Sequence, residues 1–315
     1  MTQKIATRDA YGDALVSLGK KRDDVVVLDA DLSGSTKTGK FAKAFPDRFF
    51  NIGIAEQDMM GTAAGLAIAG KLPFASTFAV FATGRAWEQV RQSICYPNVN
   101  VKIVASHAGI TVGEDGGSHQ SVEDIALMRV LPHMTVIVPA DGPETQQAIE
   151  AVAAHTGPCY VRVGRNKVPT LFGDDYRFRI GKAHVFNEGR DAAIIATGLM
   201  VAESLKARDL LKAEGIDAGV INMSTIKPLD AEAVIAAAKH CGALVTAEEH
   251  SIIGGLGGAV AEVISESCPV PLVRVGVKDV FGTSGDQEGL LKHYGMSAED
   301  IAAAVKAAMR KKSSK

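Results

Sequence analysis

The sequence predicts two consecutive open, mostly parallel-sheet α/β domains. Three observations carry this prediction. Short β-branched runs of four to six residues alternate with helical stretches. Residues 166 to 190 break that alternation with Pro169, Gly173, Asp174, Asp175, Gly181, Asn187 and Gly189. A second strand–helix series begins behind the break. Alternating strands and helices imply parallel β-α units with right-handed crossovers. A stretch rich in Pro, Gly, Asp and Asn reads as a linker or small hairpin. The boundaries so drawn are a first domain over 1–168, a linker over 169–189, a second domain over 190–310 and a tail over 311–315.

In the first series, Val25-Val26-Val27-Leu28 is a strand ending in Asp29-Ala30-Asp31, and the run from Phe49 to Ile54 leads into Glu56. Residues 61 to 70 (Gly-Thr-Ala-Ala-Gly-Leu-Ala-Ile-Ala-Gly) read as a helix packed tightly against a neighbour. Phe74 to Phe81 reads as a strand and its exit, and Arg85 to Tyr96 as helical. The Val101 strand, a glycine loop, a helix near Ser121 to Leu131 and a strand at Thr135 to Val138 follow. Asp141-Gly142-Pro143-Glu144 is a helix start, with Asp as cap and Pro in the first turn. Cys159 to Val163 closes the series. The second series has strands at Ala192 to Ala196, Ala218 to Ile221, Ala243 to Ala247 and Leu272 to Val275. Its helices run near Met200 to Glu214, Asp230 to Lys239 and Gly257 to Ser267. There is no internal repeat.

The 315 residues suffice for about two domains. Charged residues make up 22%, hydrophobic ones 47%, and the formal charge is −2, so nothing favours a nucleic-acid partner. The one basic run, Arg310-Lys311-Lys312, is expected in a frayed end. The N-terminus lacks the apolar core of a signal peptide. No apolar run reaches the ~18 residues of a membrane span. Cys95, Cys159, Cys241 and Cys268 form no CxxC pair, which fits a cytoplasmic protein with buried thiols and no metal site of its own.

Ile252-Ile253-Gly254-Gly255-Leu256-Gly257-Gly258 opens a helix but does not complete GxGxxG, and no acidic residue ends a strand about 20 residues on. A tight turn and close helix packing explain these glycines. The most informative stretch is residues 106 to 120, Ser-His-Ala-Gly-Ile-Thr-Val-Gly-Glu-Asp-Gly-Gly-Ser-His-Gln. It follows an apolar strand. It gathers His107, His119, Glu114 and Asp115 among Gly109, Gly113, Gly116 and Gly117, glycines that let a backbone lie close to a ligand. Polar side chains beyond a strand's carboxyl end are what a site in an open α/β sheet needs.

Asp29-Ala30-Asp31-Leu32-Ser33-Gly34-Ser35, Asn51-Ile52-Gly53-Ile54-Ala55-Glu56-Gln57, Ser76-Thr77-Phe78-Ala79-Val80-Phe81 and the loop at 106 to 120 occur in this order. Together they resemble the pyrimidine-binding domain of transketolase, a thiamine-diphosphate enzyme. Glu248-Glu249-His250, Gly254-Gly255-Leu256-Gly257 and Phe281-Gly282-Thr283-Ser284-Gly285 are similar to that family's C-terminal domain, so the resemblance covers nearly the whole chain.

The resemblance implies roles. Glu56 would hydrogen-bond the pyrimidine nitrogen of thiamine diphosphate, which requires a carboxyl kept protonated by burial. Phe78 and Phe81 would stack against the pyrimidine, and a third aromatic of some members falls at Gly84. Asp31 would lie beside the thiazolium. His107 and His119 would contact the ketose and move protons at its hydroxyls, as imidazoles titrating near neutrality do. Asp115 would read a sugar hydroxyl, with Glu114 unassigned. Arg8, Ser35 and Arg165 would grip a terminal phosphate, which suits the planar guanidinium fork.

Transketolase-like enzymes hold the diphosphate through a divalent metal, Mg2+ or Ca2+, in a domain carrying Gly-Asp-Gly. No Gly-Asp-Gly occurs here, and Gly12-Asp13-Ala14 falls inside a probable helix. The chain thus resembles the C-terminal subunit of a split transketolase. It would need an N-terminal subunit for diphosphate and metal, pair with itself within an α2β2 assembly, and transfer a two-carbon ketol unit between sugar phosphates. Half of a deoxyxylulose-phosphate synthase, the beta subunit of a 2-oxo acid dehydrogenase and a non-catalytic scaffold are the alternatives. Gly113 to Gln120 leans to transketolase, and the beta subunits usually lack the histidine pair.

Overall fold

The structure, a computed structural model, describes residues 3–313. In chain order the strands are β1 (Lys4–Ala6), β2 (Val25–Asp29), β3 (Phe49–Asn51), β4 (Leu72–Ser76), β5 (Lys102–Ala105), β6 (Thr135–Ile137), β7 (Cys159–Arg162), β8 (Lys167–Pro169), β9 (His184–Gly189), β10 (Ala192–Ala196), β11 (Ala218–Asn222), β12 (Thr225–Lys227), β13 (Leu244–Ser251) and β14 (Leu272–Val277). Seven form a sheet in the order β12-β6-β7-β5-β4-β2-β3, and five form a second in the order β14-β13-β10-β11-β9. Every pairing is parallel except β12 with β6, β9 with β11, and the small β1–β8 ribbon. Two mostly parallel α/β sheets are what the alternating pattern predicts.

The strands are apolar runs because helices cover both faces. All five residues of β2 are buried. Val25 and Val27 point to a cluster with Tyr11, Leu15, Ile149 and Val152, from the packed helices Thr7–Lys21 and Gly142–Ala154. Val26 and Leu28 point the other way, to Met59, Met60 and Ala63 of the helix Glu56–Ile68. This is the two-residue period of a strand. The second cluster runs on into Ile195, Ile221, Leu256 and Val260, so the two sheets share one apolar core.

Several expectations need correction. The stretch 169–189 is not all linker, because β9 lies in it and pairs with β11. Its remainder is pinned: Asp141 Oδ2 accepts the N–H groups of Leu171 (2.7 Å) and Phe172 (2.9 Å). Just past β11, β12 leaves the second sheet and edges the first. Arg85 to Tyr96 is not one α-helix. Phe81–Arg85 and Val90–Cys95 are π-helical around the short helix Trp87–Gln89. Arg310, Lys311 and Lys312 are helical, since Ala298–Ser313 is one helix, and Lys312 Nζ donates to Cys241 O at 2.6 Å; residues 314–315 lie outside the described residues. Gly61 and Gly65 are exposed, and a Cβ on either would meet nothing within 4 Å, so this chain does not supply the tight packing expected of them. The four cysteines are free, and Cys268 is only half-buried.

Other expectations hold. Asp141 caps the helix Gly142–Ala154 by accepting Glu144 N–H at 2.8 Å. The glycines near 255 make room for the protein itself. Glu248 accepts N–H from Leu256 (2.7 Å) and Gly257 (2.8 Å) at the start of the helix Leu256–Ser267, and a Cβ on Gly255 would sit 2.0 Å from Glu248 Oε2. A carboxylate therefore already occupies the helix terminus where a dinucleotide would bind. Among the described residues no helix is long and apolar enough to cross a membrane.

Glu144 ties the first domain, the linker and the second domain together. It accepts from Ala140 N (2.6 Å), Tyr176 Oη (2.5 Å) and Asn222 Nδ2 (2.8 Å). Burial pushes its carboxyl up to about 7, against the lowering effect of Tyr176. An acid raised on folding gives stability that is full below its unfolded pKa of ~4.5 and is lost as pH rises to about 7. Glu144→Gln, neutral throughout, should match wild type near pH 4.5. It should then gain on wild type with rising pH by up to about 3 kcal/mol. Urea unfolding at pH 4.5, 6 and 7.5 checks this, and a pH-independent difference would refute it.

Candidate active site

The carboxyl ends of adjacent parallel strands collect the candidate residues, as open α/β sheets do. Asp31 and Ser35 follow β2, Glu56 follows β3, Phe78 and Phe81 follow β4, His107, Asp115 and His119 follow β5, and Arg165 follows β7. Arg8 comes from the first turn of the helix Thr7–Lys21. It is held against the β7 exit by its own N–H to Gly164 O (3.3 Å) and by Gly164 N–H to Thr7 Oγ1 (2.6 Å).

His107 is the centre of one group. It is buried, its backbone is left-handed (φ 56°), and its ring stacks on Phe78 with centroids 3.8 Å apart. Arg8 Nη1 lies 3.1 Å from Nε2, and Ser106 Oγ lies 2.8 Å from Nδ1. A guanidinium only donates, so Nε2 accepts and Nδ1–H donates to Ser106. Burial, then the charges of Arg8 and Arg165, lower His107 to about 3. It is therefore neutral near pH 7, which corrects the expectation that it titrates there.

His119 is half-buried and meets the rings of Phe78 (6.2 Å) and Phe81 (5.7 Å) edge-on, with Ser118 Oγ 3.0 Å from its Nδ1. Phe78 and Phe81 lie nearly parallel, 5.9 Å apart. Glu56 opens the helix Glu56–Ile68 and is only 2% exposed, as expected. Its partner was not foreseen: Arg85 Nη1 lies 3.0 Å from both carboxylate oxygens, and the guanidinium sits 4.6 Å over the Phe81 ring.

Arg8 also donates to Ser35 through the serine's backbone carbonyl (3.0 Å), not its hydroxyl. Burial lowers the Arg8 pKa and so does the charge of Arg165. Arg8 Nε is buried with no partner. Two like charges within reach of each other and a spare N–H donor are what an anion site offers. Asp115 is exposed and pairs with Arg165 at 3.3 Å, while Arg165 also donates to Val112 O at 2.8 Å. Asp31 is exposed and left-handed (φ 63°), in mutual hydrogen bonds with Asn51. Beneath it buried Asp29 fixes the turn, accepting from Leu32 N–H, Thr36 Oγ1 and Thr38 Oγ1. Contacts therefore link Glu56, through Arg85, to Phe81, Phe78, both histidines, Arg8 and Ser35 in one chain. Arg165 and Asp115 flank it and Asp31 stands at its edge.

The loop's glycines serve a different purpose from the one expected. A Cβ on Gly109 would lie 2.3 Å from the Glu249 carboxylate, on Gly116 2.6 Å from Ser284 Oγ, and on Gly117 2.6 Å from Gly282 O. They admit the second domain rather than a ligand. Glu249 Oε1 accepts Thr111 N–H (2.6 Å), and Gln120 Nε2 donates to Thr283 O (2.9 Å). Behind them Arg162 donates to Asp124 Oδ2 (2.8 Å) and Glu249 O (2.8 Å), with Glu249 Oε2 at 3.8 Å. Tyr160 Oη also donates to Asp124. Burial opposes the Asp124 charge, but Arg162 prevails and holds its carboxyl below the usual range. Burial raises Glu249. Sequence reading missed Arg85, Asp29, Ser106, Arg162 and the role of Glu249. Asp29, Ser106 and Glu249 stood in marked motifs without a role, whereas Arg85 and Arg162 stood only in a helical stretch and a strand. Among the described residues no three His, Cys, Asp or Glu side chains gather to hold a metal ion.

Two family models match the chain: "Transketolase, pyrimidine binding domain" over residues 3–170 and "Transketolase, C-terminal domain" over 181–301. The chain is 53% identical over 307 residues to a putative transketolase C-terminal section of Methanocaldococcus jannaschii, covering 96% of each. It is 45% identical to a 6-deoxy-6-sulfo-D-fructose transketolase subunit of Clostridium sp. (strain MSTE9), covering 93% of this chain and 91% of that one. Among solved structures, a split gene transketolase described as an inactive beta4 tetramer matches with a TM-score of 0.90 and 56% identity, over 98% of this chain and 100% of that chain.

Nitrogen-15 NMR of the free chain should show His107 as the neutral Nδ1–H tautomer from pH 5 to 8; a midpoint above 5.5 would contradict its surroundings. Glu249→Ala should cost roughly 1–3 kcal/mol, because the buried Thr111 N–H loses its acceptor while Arg162 keeps Asp124. It should also lower hydrogen-exchange protection at the Thr111 amide ahead of the amides of β5, and unchanged protection there would mean that Glu249 does not hold the loop.

Proposed function

The chain belongs to the transketolase family, and on that premise we propose that it is the C-terminal subunit of a split, thiamine-diphosphate-dependent transketolase. The observation that carries this is the buried Glu56 carboxylate, joined through Arg85 and two aromatic rings to two histidines and Arg8 at the carboxyl ends of one sheet. A shielded carboxyl and an aromatic face bridged by one guanidinium fit an aminopyrimidine, and the spare Arg8 Nε–H fits a sugar's terminal anion. Thiamine diphosphate, when bound, supplies the carbanion chemistry of ketol transfer.

Glu56 would hold the pyrimidine nitrogen, Phe81 and Phe78 would pack against the ring, and Asp31 would lie toward the cationic end. Arg8, Arg165 and the Ser35 turn would fix the terminal phosphate of the ketose and so orient the reacting end. His107, neutral and already receiving from Arg8, serves to position. That leaves His119 to move the proton at the ketose hydroxyl. Asp115 would read a sugar hydroxyl while Arg165 turns to the phosphate. A diphosphate-binding partner subunit would hold the Mg2+ or Ca2+, in an α2β2 assembly.

The test combines the chain, its partner, thiamine diphosphate and magnesium with a ketose phosphate, 6-deoxy-6-sulfofructose or pyruvate. Ketol transfer from a ketose should fall by roughly 10²–10⁴ in Glu56→Ala. Full activity in that variant, or turnover of pyruvate alone, would remove this reading.

A further inference from the structure

Arg85 has none of the roles above, yet it touches the two groups at the heart of the site. Its Nη1 straddles both oxygens of Glu56 at 3.0 Å, and its guanidinium carbon lies 4.6 Å over Phe81. The Arg85 side chain is 50% exposed and that of Glu56 is 2% exposed, so Arg85 covers the carboxylate from the solvent side. Taking Glu56 and Phe81 as the pyrimidine's contacts, as proposed above, we infer that Arg85 is an internal placeholder for that ring. In the free chain its guanidinium occupies the carboxylate and the aromatic face together, and it swings out when the cofactor enters.

The chemistry of the two occupants is alike. Both are flat, nitrogen-bearing groups with a π-face for a ring: the guanidinium donates to the Glu56 carboxylate, and the pyrimidine nitrogen would accept from the same group once it is protonated. A buried Glu56 without a partner would be costly, so the free chain has a physical reason to keep a cation there. The way out is open. Arg85 ends the π-helical stretch Phe81–Arg85, a local geometry frequent at functional sites. Its neighbour Gly84 is exposed, and a Cβ there would meet nothing within 4 Å. Each binding event must then displace Arg85, and the affinity seen is the intrinsic one reduced by the fraction of chains whose Arg85 has left.

A purely structural ion pair and a placeholder predict opposite signs. Arg85→Met keeps the aliphatic stem and removes the cation. The free variant should melt below wild type, while the partner-assembled variant should bind thiamine diphosphate with magnesium roughly 1.5- to fivefold tighter by calorimetry, the range an exposed ion pair spans. Binding that is unchanged or weaker overturns the placeholder. If Arg85→Met does not fold alone, Arg85→Lys takes its place. Its ammonium is a point charge that cannot lie flat on Phe81, so the same sign with a smaller shift is expected, and unchanged or weaker binding again overturns the inference. A wild-type assembly that binds no thiamine diphosphate defeats the functional reading itself, and the placeholder with it.

Discussion

Arg162 is the charge on which the arrangement depends. It is buried at the end of β7, between Asp124 of the first domain and Glu249 of the second, and it donates to both. A buried guanidinium is tolerable only if its hydrogens are matched, and here they are matched by groups from two domains. Glu249 is thereby fixed at the end of β13, and its carboxylate receives the Thr111 N–H. The loop that bears His107, Asp115 and His119 is thus set by a residue nearly 140 positions away, and only a glycine at 109 leaves room for it. The second domain takes part in building the site although it contributes none of the proposed ligand contacts.

The electrostatics of the site are lopsided. Arg8, Arg165 and Lys37 all bear on His107 and, with burial, keep it unprotonated. Acidic neighbours balance them only in part: Asp115 pairs with Arg165 at 3.3 Å and Asp9 with Lys37 at 3.6 Å, while Glu56 is engaged by Arg85. A cluster of this kind favours an incoming anion, and an anion between the arginines would ease the field on the imidazole. Any anion bound there would be coupled to the proton affinity of His107 through the same two guanidiniums.

Much of this was legible in the chain. The β-branched runs of β2, β5, β10 and β11 and the Asp141 cap announce themselves, because burial on both faces and capping both leave local patterns. Every candidate site residue except Arg8 lies after a strand of the first sheet, and the ordered motifs mark all of them but Arg8 and Arg165. What escaped was set by distant contacts. β12 is three residues long and pairs with a strand about 90 positions earlier, which no period in the sequence encodes. β9 hides among turn-forming residues. Arg85 reads as an ordinary helical arginine until the β4 exit folds it over Glu56. The loop glycines look like room for a ligand, and only the second domain's position shows whose atoms they accommodate.

The migration of β12 has an evolutionary consequence. Thr225–Lys227 is encoded well inside the second domain, yet it closes the edge of the first sheet at β6. A recombination event that swapped either half between genes would bare a row of unpaired backbone amides and carbonyls, an invitation to aggregate. A chain divided between β6 and β12 would therefore need another strand to cover that edge, so the first sheet is complete only with the second half attached.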